Sequence, residues 1–261
     1  MLFRRPLGKR PQCPASSVAV ATVLLLHLFS PAFAGPPLSL DDPGILDPWQ
    51  MEVIVATTVT STKTGDYYQL PLIDFSVGLL RDYVQATVVY PYVSVRTDEG
   101  DSAGAFGNPE AGIKWRFVNN ERLQVAFAPV YGFGVADRVA DEGIGDRSDS
   151  LIIPVNAEFK INDAWRLNGE VSYAFVDQGE DEWGYGAAAA YSVNERWEFL
   201  LELSGTSVNG FDADIFDVRA GFDTALTDSL HLLFSIATRT RELSREDQLD
   251  YDVFLGLQFI N

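Results

Sequence analysis

The chain has little cysteine, little histidine and little positive charge. It contains one cysteine and two histidines among 261 residues, and 37 acidic residues outnumber 19 basic ones. Because Cys13 lies in a segment that we predict to be removed, the mature protein lacks disulfides, cysteine metal sites and thiol nucleophiles. His231 is the only histidine that the mature chain keeps, which excludes reactions that need two imidazoles. The acidic balance argues against a nucleic-acid partner, which requires a basic face.

Residues 1–34 have the composition of a secretory signal peptide. Their first part holds four basic residues and no acidic ones: Arg4, Arg5, Lys9 and Arg10. An apolar run follows from Val18 to Phe29, and Ala32 and Ala34 occupy the small positions of a cleavage site. This run is shorter than the roughly 20 residues of a membrane-spanning helix. Removal after Ala34 leaves 15 basic and 37 acidic residues, a net charge of −22, on an exported chain.

From Trp49 onward, apolar and polar residues alternate in stretches of about ten, which is typical of β-strands with two unlike faces. Five connections between these stretches are short and carry turn residues: 81–82, 119–121, 162–164, 194–195 and 227–228. The polar connections between them are longer and centre near residues 60–66, 96–106, 135–149, 177–182, 205–214 and 240–248. Short and long connections alternate, which predicts twelve strands with both chain ends on the short-turn side.

An even strand number, short turns at one rim and long loops at the other are typical of outer-membrane barrels. We therefore predict that residues 49–261 form a single 12-stranded antiparallel transmembrane up-and-down β-barrel, an all-β fold. Its short turns would face the periplasm and its long loops the outside of a Gram-negative bacterium. Residues 35–48 would form a separate N-terminal segment, either periplasmic or entering the lumen.

The two faces of the strands differ in charge. One face carries no charged residue, and the other carries eleven acidic and six basic residues. From the charged face we predict these lumen-lining residues: Asp74, Glu110, Lys114, Arg116, Glu158, Lys160, Arg166, Glu170, Glu198, Glu202, Asp217, Arg219, Arg239, Asp250 and Asp252. A soluble barrel or sandwich would instead turn its apolar face inward, and alternation alone does not separate the two. Aromatic residues beside the short turns favour lipid on the outside.

Three stretches carry a family resemblance: Ser39–Glu52, Leu70–Leu79 and Gly107–Phe117. Together they resemble the outer-membrane proteins grouped as a "MetA-pathway of phenol degradation" or transporter-type family. The resemblance implies a β-barrel in the outer membrane of Gram-negative bacteria with a channel or transport role. The family name hints at aromatic substrates, and the family supplies no catalytic residues to carry over.

Three hypotheses for function follow. Twelve strands enclose a lumen between the filled interior of eight-stranded barrels and the pore of sixteen-stranded ones. The first hypothesis is a narrow channel for small solutes, with a mild cation preference because its lumen and loops are net negative. The second is a non-conducting structural or surface-interaction barrel with a filled lumen, in which residues 35–48 act as a plug. The third is an enzyme that acts on lipids or sugars.

The residues favour a protein that is not an enzyme and has no cofactor or metal. His231 has no accompanying G-x-S-x-G elbow, and Glu198 and Glu202 are simply two inward positions four residues apart. The loop acids at 98–101 and 141–149 lack the spacing of a calcium loop. The expected partners are outer-membrane lipid, lipopolysaccharide bridged to the acidic loops by divalent cations, the barrel-assembly machinery and an unidentified small solute.

Overall fold

The computed structural model describes residues 37–63, 65–97, 102–177, 179–208, 213–241 and 249–261. The predicted signal peptide and residues 35 and 36 lie outside this part of the chain. The described residues form one short helix, α1 (Asp137–Asp141), and fourteen strands: β1 (Met51–Thr62), β2 (Gly65–Leu80), β3 (Val84–Thr97), β4 (Ser102–Phe106), β5 (Glu110–Asn119), β6 (Leu123–Phe127), β7 (Val130–Gly132), β8 (Ser150–Lys160), β9 (Trp165–Val176), β10 (Glu182–Ser192), β11 (Trp197–Val208), β12 (Ala213–Thr227), β13 (Leu230–Arg241) and β14 (Leu249–Ile260). None of the helical residues described forms a helix long and apolar enough to cross a membrane.

The strands form one antiparallel sheet that closes on itself, because β1 pairs with both β2 and β14. Strands β4 and β5 pair with different parts of β3, so together they make one barrel strand interrupted at residues 107–109. Strands β6 and β7 likewise make one strand, interrupted at residues 128–129, between β5 and β8. Twelve barrel strands result, and the predicted 12-stranded antiparallel barrel is confirmed.

The five predicted short turns all lie at one end of the barrel, which we call the short-turn end. Both ends of the barrel chain meet there, where the Asn261 side chain accepts a hydrogen bond from the Met51 N–H at 2.8 Å. The opposite end is the long-loop end. Strands reach further toward it than predicted: β1 ends at Thr62 and β2 begins at Gly65, so most of residues 60–66 is strand.

A bulge in β2 explains why alternation did not reveal this extension. Leu72 lies opposite Ala56 of β1, but Gln69 lies opposite Thr58, so β2 has one extra residue here. An extra residue reverses which positions face the lumen. A single period of two therefore does not run through the whole of β2.

The apolar face of the sheet points outward. None of the uncharged positions predicted to face outward is buried, and Leu201 and Leu203 are 52% and 55% exposed. The aromatic side chains predicted beside the short turns are all exposed: Tyr83, Trp115, Phe117, Phe159, Trp165, Tyr191 and Trp197. On the opposite face, Glu202 and Asn156 have no exposure. This arrangement is that of a membrane barrel and excludes a soluble barrel with an apolar interior.

The lumen is not lined by polar residues alone. Ile54, Ala56, Leu233 and Phe254 form a buried apolar cluster on the inner faces of β1, β13 and β14, and Leu72 of β2 packs against it. Ile54 and Leu233 are each 1% exposed. This side of the lumen is therefore filled by wall side chains.

Candidate functional site

Residues 37–48, which we call the lumen segment, lead from the short-turn end into the barrel. Pro48 forms an isolated bridge with Gly78 of β2, and the N–H of Trp49 donates to the Gly78 carbonyl at 2.8 Å. A Cβ on Gly78 would lie 2.1 Å from the Asp47 carbonyl oxygen. Only glycine allows the two backbones to approach this closely, so Gly78 sets the point where the segment enters.

The lumen segment then crosses the lumen from β3 toward β13. The Leu46 N–H donates to Gln85 Oε1 of β3 at 3.1 Å. The Asp41 N–H donates to Glu170 Oε2 of β9 at 3.0 Å. At its far end, the Pro37 carbonyl accepts from the Ser235 hydroxyl of β13 at 2.6 Å. Contacts with three widely separated wall strands hold the segment across the barrel.

Glu202 of β11 is the principal anchor of the lumen segment. Its Oε2 accepts hydrogen bonds from the backbone N–H groups of Ser39 and Leu40, each at 2.9 Å. Its Oε1 accepts from the hydroxyls of Ser39 and Ser204, and the Arg219 Nε lies 4.0 Å away. A carboxylate with no exposure is stable only when donors surround it in this way.

A buried ion pair forms the second anchor. Lys114 Nζ of β5 donates to Asp41 Oδ1 at 2.7 Å and to the Asp42 carbonyl at 2.8 Å. The Lys114 and Asp41 side chains are only 12% and 14% exposed, and Asn156 Nδ2 also reaches Asp41 Oδ2 at 3.4 Å. Hydrogen bonds of this kind are what allows a shielded pair to persist.

Apolar contacts complete the seat of the lumen segment. Leu38 and Leu40 are buried against Ala188 of β10, and Leu200 of β11 packs on the same cluster. These inward alanine and leucine positions leave room for two leucine side chains of the segment. The segment is thus held by hydrogen bonds, one ion pair and apolar packing together.

Other predicted lumen residues pair with one another along the wall. Arg166 of β9 bonds to Glu198 of β11 at 2.5 Å and lies 3.7 Å from Glu158 of β8. Arg239 and Asp217 pair at 2.9 Å between β13 and β12.

Two arginines bridge the wall in further contacts. Arg219 bonds to Asp252 of β14 at 2.8 Å and to the Ser235 hydroxyl at 3.1 Å. Arg116 of β5 donates to Gln124 Oε1 at 2.9 Å and to the Asp82 carbonyl at 3.1 Å.

In the part of the chain that the structure describes, four of the predicted lumen-lining residues do not pair with another predicted lumen residue. Asp74 has a buried Oδ1 with no hydrogen-bond partner among the described residues, and Glu110 lies opposite Gly132 in the sheet. Lys160 and Asp250 are exposed, and they pair with Asp163 and Lys63 in or beside the connections. Lys160 and Asp250 therefore lie at opposite ends of the barrel rather than deep in the lumen.

The prediction from charge alone missed uncharged residues that hold the lumen segment. Gln85, Ser235 and Asn156 are buried and contact the segment through hydrogen bonds. Their inward position could have been read from the same period-two pattern. The role of Ser39 has no such signal, because it lies before the alternating part of the chain.

A cavity of about 380 Å³ lies beside the lumen segment. Its wall includes Asp42, Arg116, Glu158, Arg166, Glu198 and Asp223. This volume is within the range of about 300–1,000 Å³ that small-molecule sites occupy. The cavity is therefore large enough for a small polar solute.

Several of the residues considered for catalysis and metal binding pair with other groups of the protein. His231 Nδ1 lies 2.8 Å from Asp223 Oδ1, and within the described ranges no serine or threonine hydroxyl bonds to its ring. Asp141 and Glu142 pair with Arg147 and Arg138. In the same part of the chain, no three His, Cys, Asp or Glu side chains come together as a metal site. Residues 98–101 lie outside the described residues.

Comparisons with known proteins identify the fold. No family model and no curated protein matches the chain. An outer-membrane channel from Pseudomonas putida F1 superposes with a TM-score of 0.69 at 11% identity, over 84% of this chain and 98% of that one. The NanC porin gives a TM-score of 0.59 at 9% identity, over 79% and 98%. The KdgM porin gives 0.56 at 6% identity, over 80% and 98%.

This chain has the fold of outer-membrane channels and porins. At such low identities the likeness shows the barrel fold and does not show which solute the protein binds. Any inference about the solute therefore depends on the residues in the lumen of this chain.

Proposed function

We propose that this protein is a narrow passage for small solutes across the outer membrane of a Gram-negative bacterium, and that its lumen segment closes the passage. The observation that supports this most is the seat of residues 37–48 on the inner wall. Glu202 and Glu170 accept hydrogen bonds from the backbone of the segment, and Lys114 pairs with Asp41.

The outer surface supports the proposed location. Its uncharged band would contact outer-membrane lipid, and its exposed aromatic residues would lie at the interface near the short turns. In this proposal the short turns face the periplasm, and the acidic long loops bind lipopolysaccharide through divalent cations. The barrel-assembly machinery would insert the exported chain.

The contacts of the lumen segment suit reversible closure. A hydrogen bond exchanged with water contributes only about 0.5–1.5 kcal/mol net. Water can replace the segment at Glu202, Glu170 and Lys114, because the groups there are polar. Displacement of the segment would join its volume to the cavity of about 380 Å³ beside it. A continuous polar path is expected only after this movement.

The charge of the lumen supports a mild cation preference. Glu170, Glu202 and Asp74 face the region of the lumen segment, which itself carries Asp41 and Asp42. A net negative lining attracts cations. Aromatic compounds are one class of solute to test, because three stretches resemble a family named for phenol degradation.

A tether between the segment and the wall tests the closure. The hydroxyls of Ser39 and Ser204 lie 3.2 Å apart, so the double variant Ser39→Cys/Ser204→Cys places two thiols within reach of a disulfide. We expect conductance in planar bilayers to fall at least about tenfold when the pair is oxidised and to return on reduction. In a salt gradient, the reversal potential of the reduced variant should have the sign expected for a pore that prefers cations.

The matched control is a disulfide that leaves the segment free. The Ser76 and Thr87 hydroxyls lie 2.7 Å apart on β2 and β3, so Ser76→Cys/Thr87→Cys joins two wall strands. Its oxidation should change conductance little. Equal conductance of the oxidised and reduced Ser39/Ser204 pair would contradict closure by the segment, and anion preference would contradict the proposed selectivity.

The alternative is a non-conducting barrel with a permanently filled lumen. The absence of exposure at Glu202, Ser235 and Asn156, with 1% at Leu233, favours it. Recordings before and after removal of residues 37–46 separate the two proposals. A passage with reversible closure should conduct intermittently in the intact chain, whereas a permanently filled barrel should stay silent until the segment is removed.

A further inference from the structure

The connection between β7 and β8, residues 133–149, folds into the long-loop end of the lumen. Its Ile144 is 1% exposed and packs with Tyr67, Val93 and Val95 on the inner faces of β2 and β3. Ala103, Ala105 and Val139 pack around the same cluster. We call residues 133–149 the lid, because they lie over this end of the lumen.

The lid is a folded unit with its own hydrogen bonds. The Val135 N–H donates to the Asp146 carbonyl at 2.8 Å, which joins the two arms of the lid. Asp149 Oδ1 accepts from the Gly134 N–H at 2.8 Å, and this bond, together with one from the Tyr131 hydroxyl, lowers the pKa of the Asp149 carboxyl. At the tip, Arg147 pairs with Asp137 and Asp141 of α1. These bonds hold the two arms and the helix of the lid together.

Asn108 joins the lid to the barrel wall. It lies in the interruption between β4 and β5, and its Nδ2 donates to the carbonyls of Phe133 and Asp146, each at 2.8 Å. Its Oδ1 accepts from the Asp146 N–H at 2.8 Å. One side chain therefore bonds both arms of the lid.

The surrounding glycines show that this contact is closely fitted. A Cβ on Gly145 would lie 2.5 Å from Asn108 Oδ1, and a Cβ on Gly107 would lie 2.8 Å from Val93 Cγ2. The Pro109 carbonyl accepts from the Phe133 N–H at 2.9 Å. The stretch Gly107-Asn108-Pro109, which breaks the barrel strand, is thus the place where the wall receives the lid.

We propose that residues 133–149 form a hinged lid on the long-loop end of the lumen and that Asn108 is the positioning residue that latches it. The tip is held by apolar packing around Ile144, which has no directional requirement, whereas Asn108 makes three directional bonds. The loss of these bonds removes the Asn108 side-chain contacts of both arms, while the backbone bond from the Phe133 N–H to the Pro109 carbonyl and the internal bonds of the lid remain. Control of solute entry by the lid rests on the proposed passage, but opening of the lid does not.

Thiol labelling of the folded protein in detergent tests the latch. Ile144→Cys reports on the lid, and Leu233→Cys reports on a wall position with the same 1% exposure away from it. A small water-soluble maleimide is the probe. We expect Asn108→Ala to raise the labelling rate of the Ile144→Cys reporter at least about tenfold, since three hydrogen bonds are lost. The Leu233→Cys reporter should not change.

Asn162→Ala is the matched control, because Asn162 Oδ1 accepts from Ala164 N–H and Trp165 N–H at 2.9 and 3.0 Å at the short-turn end. It should alter neither reporter. If Asn108→Ala does not fold, Asn108→Asp, which loses both donated bonds, is expected to raise labelling in the same way. An unchanged Ile144→Cys rate, or an equal rise at both reporters, overturns the latch.

Labelling does not depend on conductance. If the Ile144→Cys labelling rate rises in Asn108→Ala but the protein does not conduct, only the proposed passage is contradicted. If the protein conducts but this labelling rate does not rise, only the proposed role of Asn108 is contradicted.

Discussion

Inside the lumen, a carboxylate without exposure has to accept hydrogen bonds from protein donors. At Glu202, two donors are backbone N–H groups of the lumen segment and one is the Ser204 hydroxyl of the wall. The residue therefore couples the wall to the segment. Its charge could be placed on the inward face from alternation, but its partners could not, because Ser39 and Leu40 lie more than 160 residues away.

Replacement of this carboxylate should loosen the segment. In Glu202→Gln, the amide oxygen can still accept from the two backbone N–H groups, but the amide nitrogen replaces Oε1 beside the Ser39 and Ser204 hydroxyls and Arg219. The loss of the negative charge weakens these hydrogen bonds at a cost of about 1–3 kcal/mol. We expect the thiol-labelling rate of a Ser39→Cys reporter to rise about 10-fold or more. Glu198→Gln is the control, since Glu198 lies on the same strand and bonds to Arg166 and Ser192. Equal rates in the two variants would show that Glu202 is no anchor.

At the scale of elements, the entry of the lumen segment depends on one position of β2 that has no side chain. Gly78 lies in β2 within the stretch Leu70–Leu79, and its lack of a Cβ allows Asp47 to pass beside the strand. This stretch is one of the three that carry the family resemblance. The local sequence does not predict the close approach, because Asp47 is 31 positions earlier in the chain.

Gly78→Ala should displace the segment at its entry. The added methyl would lie 2.1 Å from the Asp47 carbonyl oxygen, so one backbone has to shift, at a cost of about 1–3 kcal/mol. We expect a lower urea midpoint and faster labelling of a Ser39→Cys reporter. Gly169→Ala is the control, because the nearest atom to its Cβ lies 3.8 Å away. A midpoint for Gly78→Ala that matches Gly169→Ala would rule out this account.

Alternation located most barrel strands but not their interruptions. The breaks at residues 107–109 and 128–129 divide two strands, because Asn108 and Pro129 lie where the wall meets other parts of the chain. The Pro129 carbonyl accepts from the Ile113 N–H at 3.1 Å, so the sheet continues around this break. Hydrogen bonds between strands decide such details, and a pattern along one strand does not contain them.

For the whole molecule, the outward apolar band should require lipid around it. Leu201 is 52% exposed near the middle of β11 and pairs with alanines of both neighbouring strands. A charged side chain on the lipid face costs about 2–4 kcal/mol at the bilayer midplane and about 0–1 near the interface. We expect Leu201→Arg to lower stability by the larger amount in urea unfolding from phospholipid vesicles.

Leu226→Arg is the matched control, because Leu226 is 51% exposed but lies at the end of β12 beside a short turn. Its effect should be the smaller one. Similar losses for both variants would mean that Leu201 does not lie at the depth assigned here.

The sequence by itself determined the class of molecule. Period-two alternation with an uncharged face, short and long connections in turn, and an acidic composition predicted a 12-stranded barrel with charged residues inside. This was possible because neighbouring strands are neighbours in the chain, so local pattern and topology coincide.

Only the tertiary structure decided how the lumen is occupied. The segment of residues 37–48, the anchor at Glu202 and the lid latched by Asn108 join parts of the chain that are far apart in sequence. Each contact depends on the closure of the sheet, which brings inward side chains of distant strands to one lumen. Local alternation does not predict which residues meet across a closed barrel, because the distance between two inward side chains is set by closure of the sheet and not by their spacing along the chain.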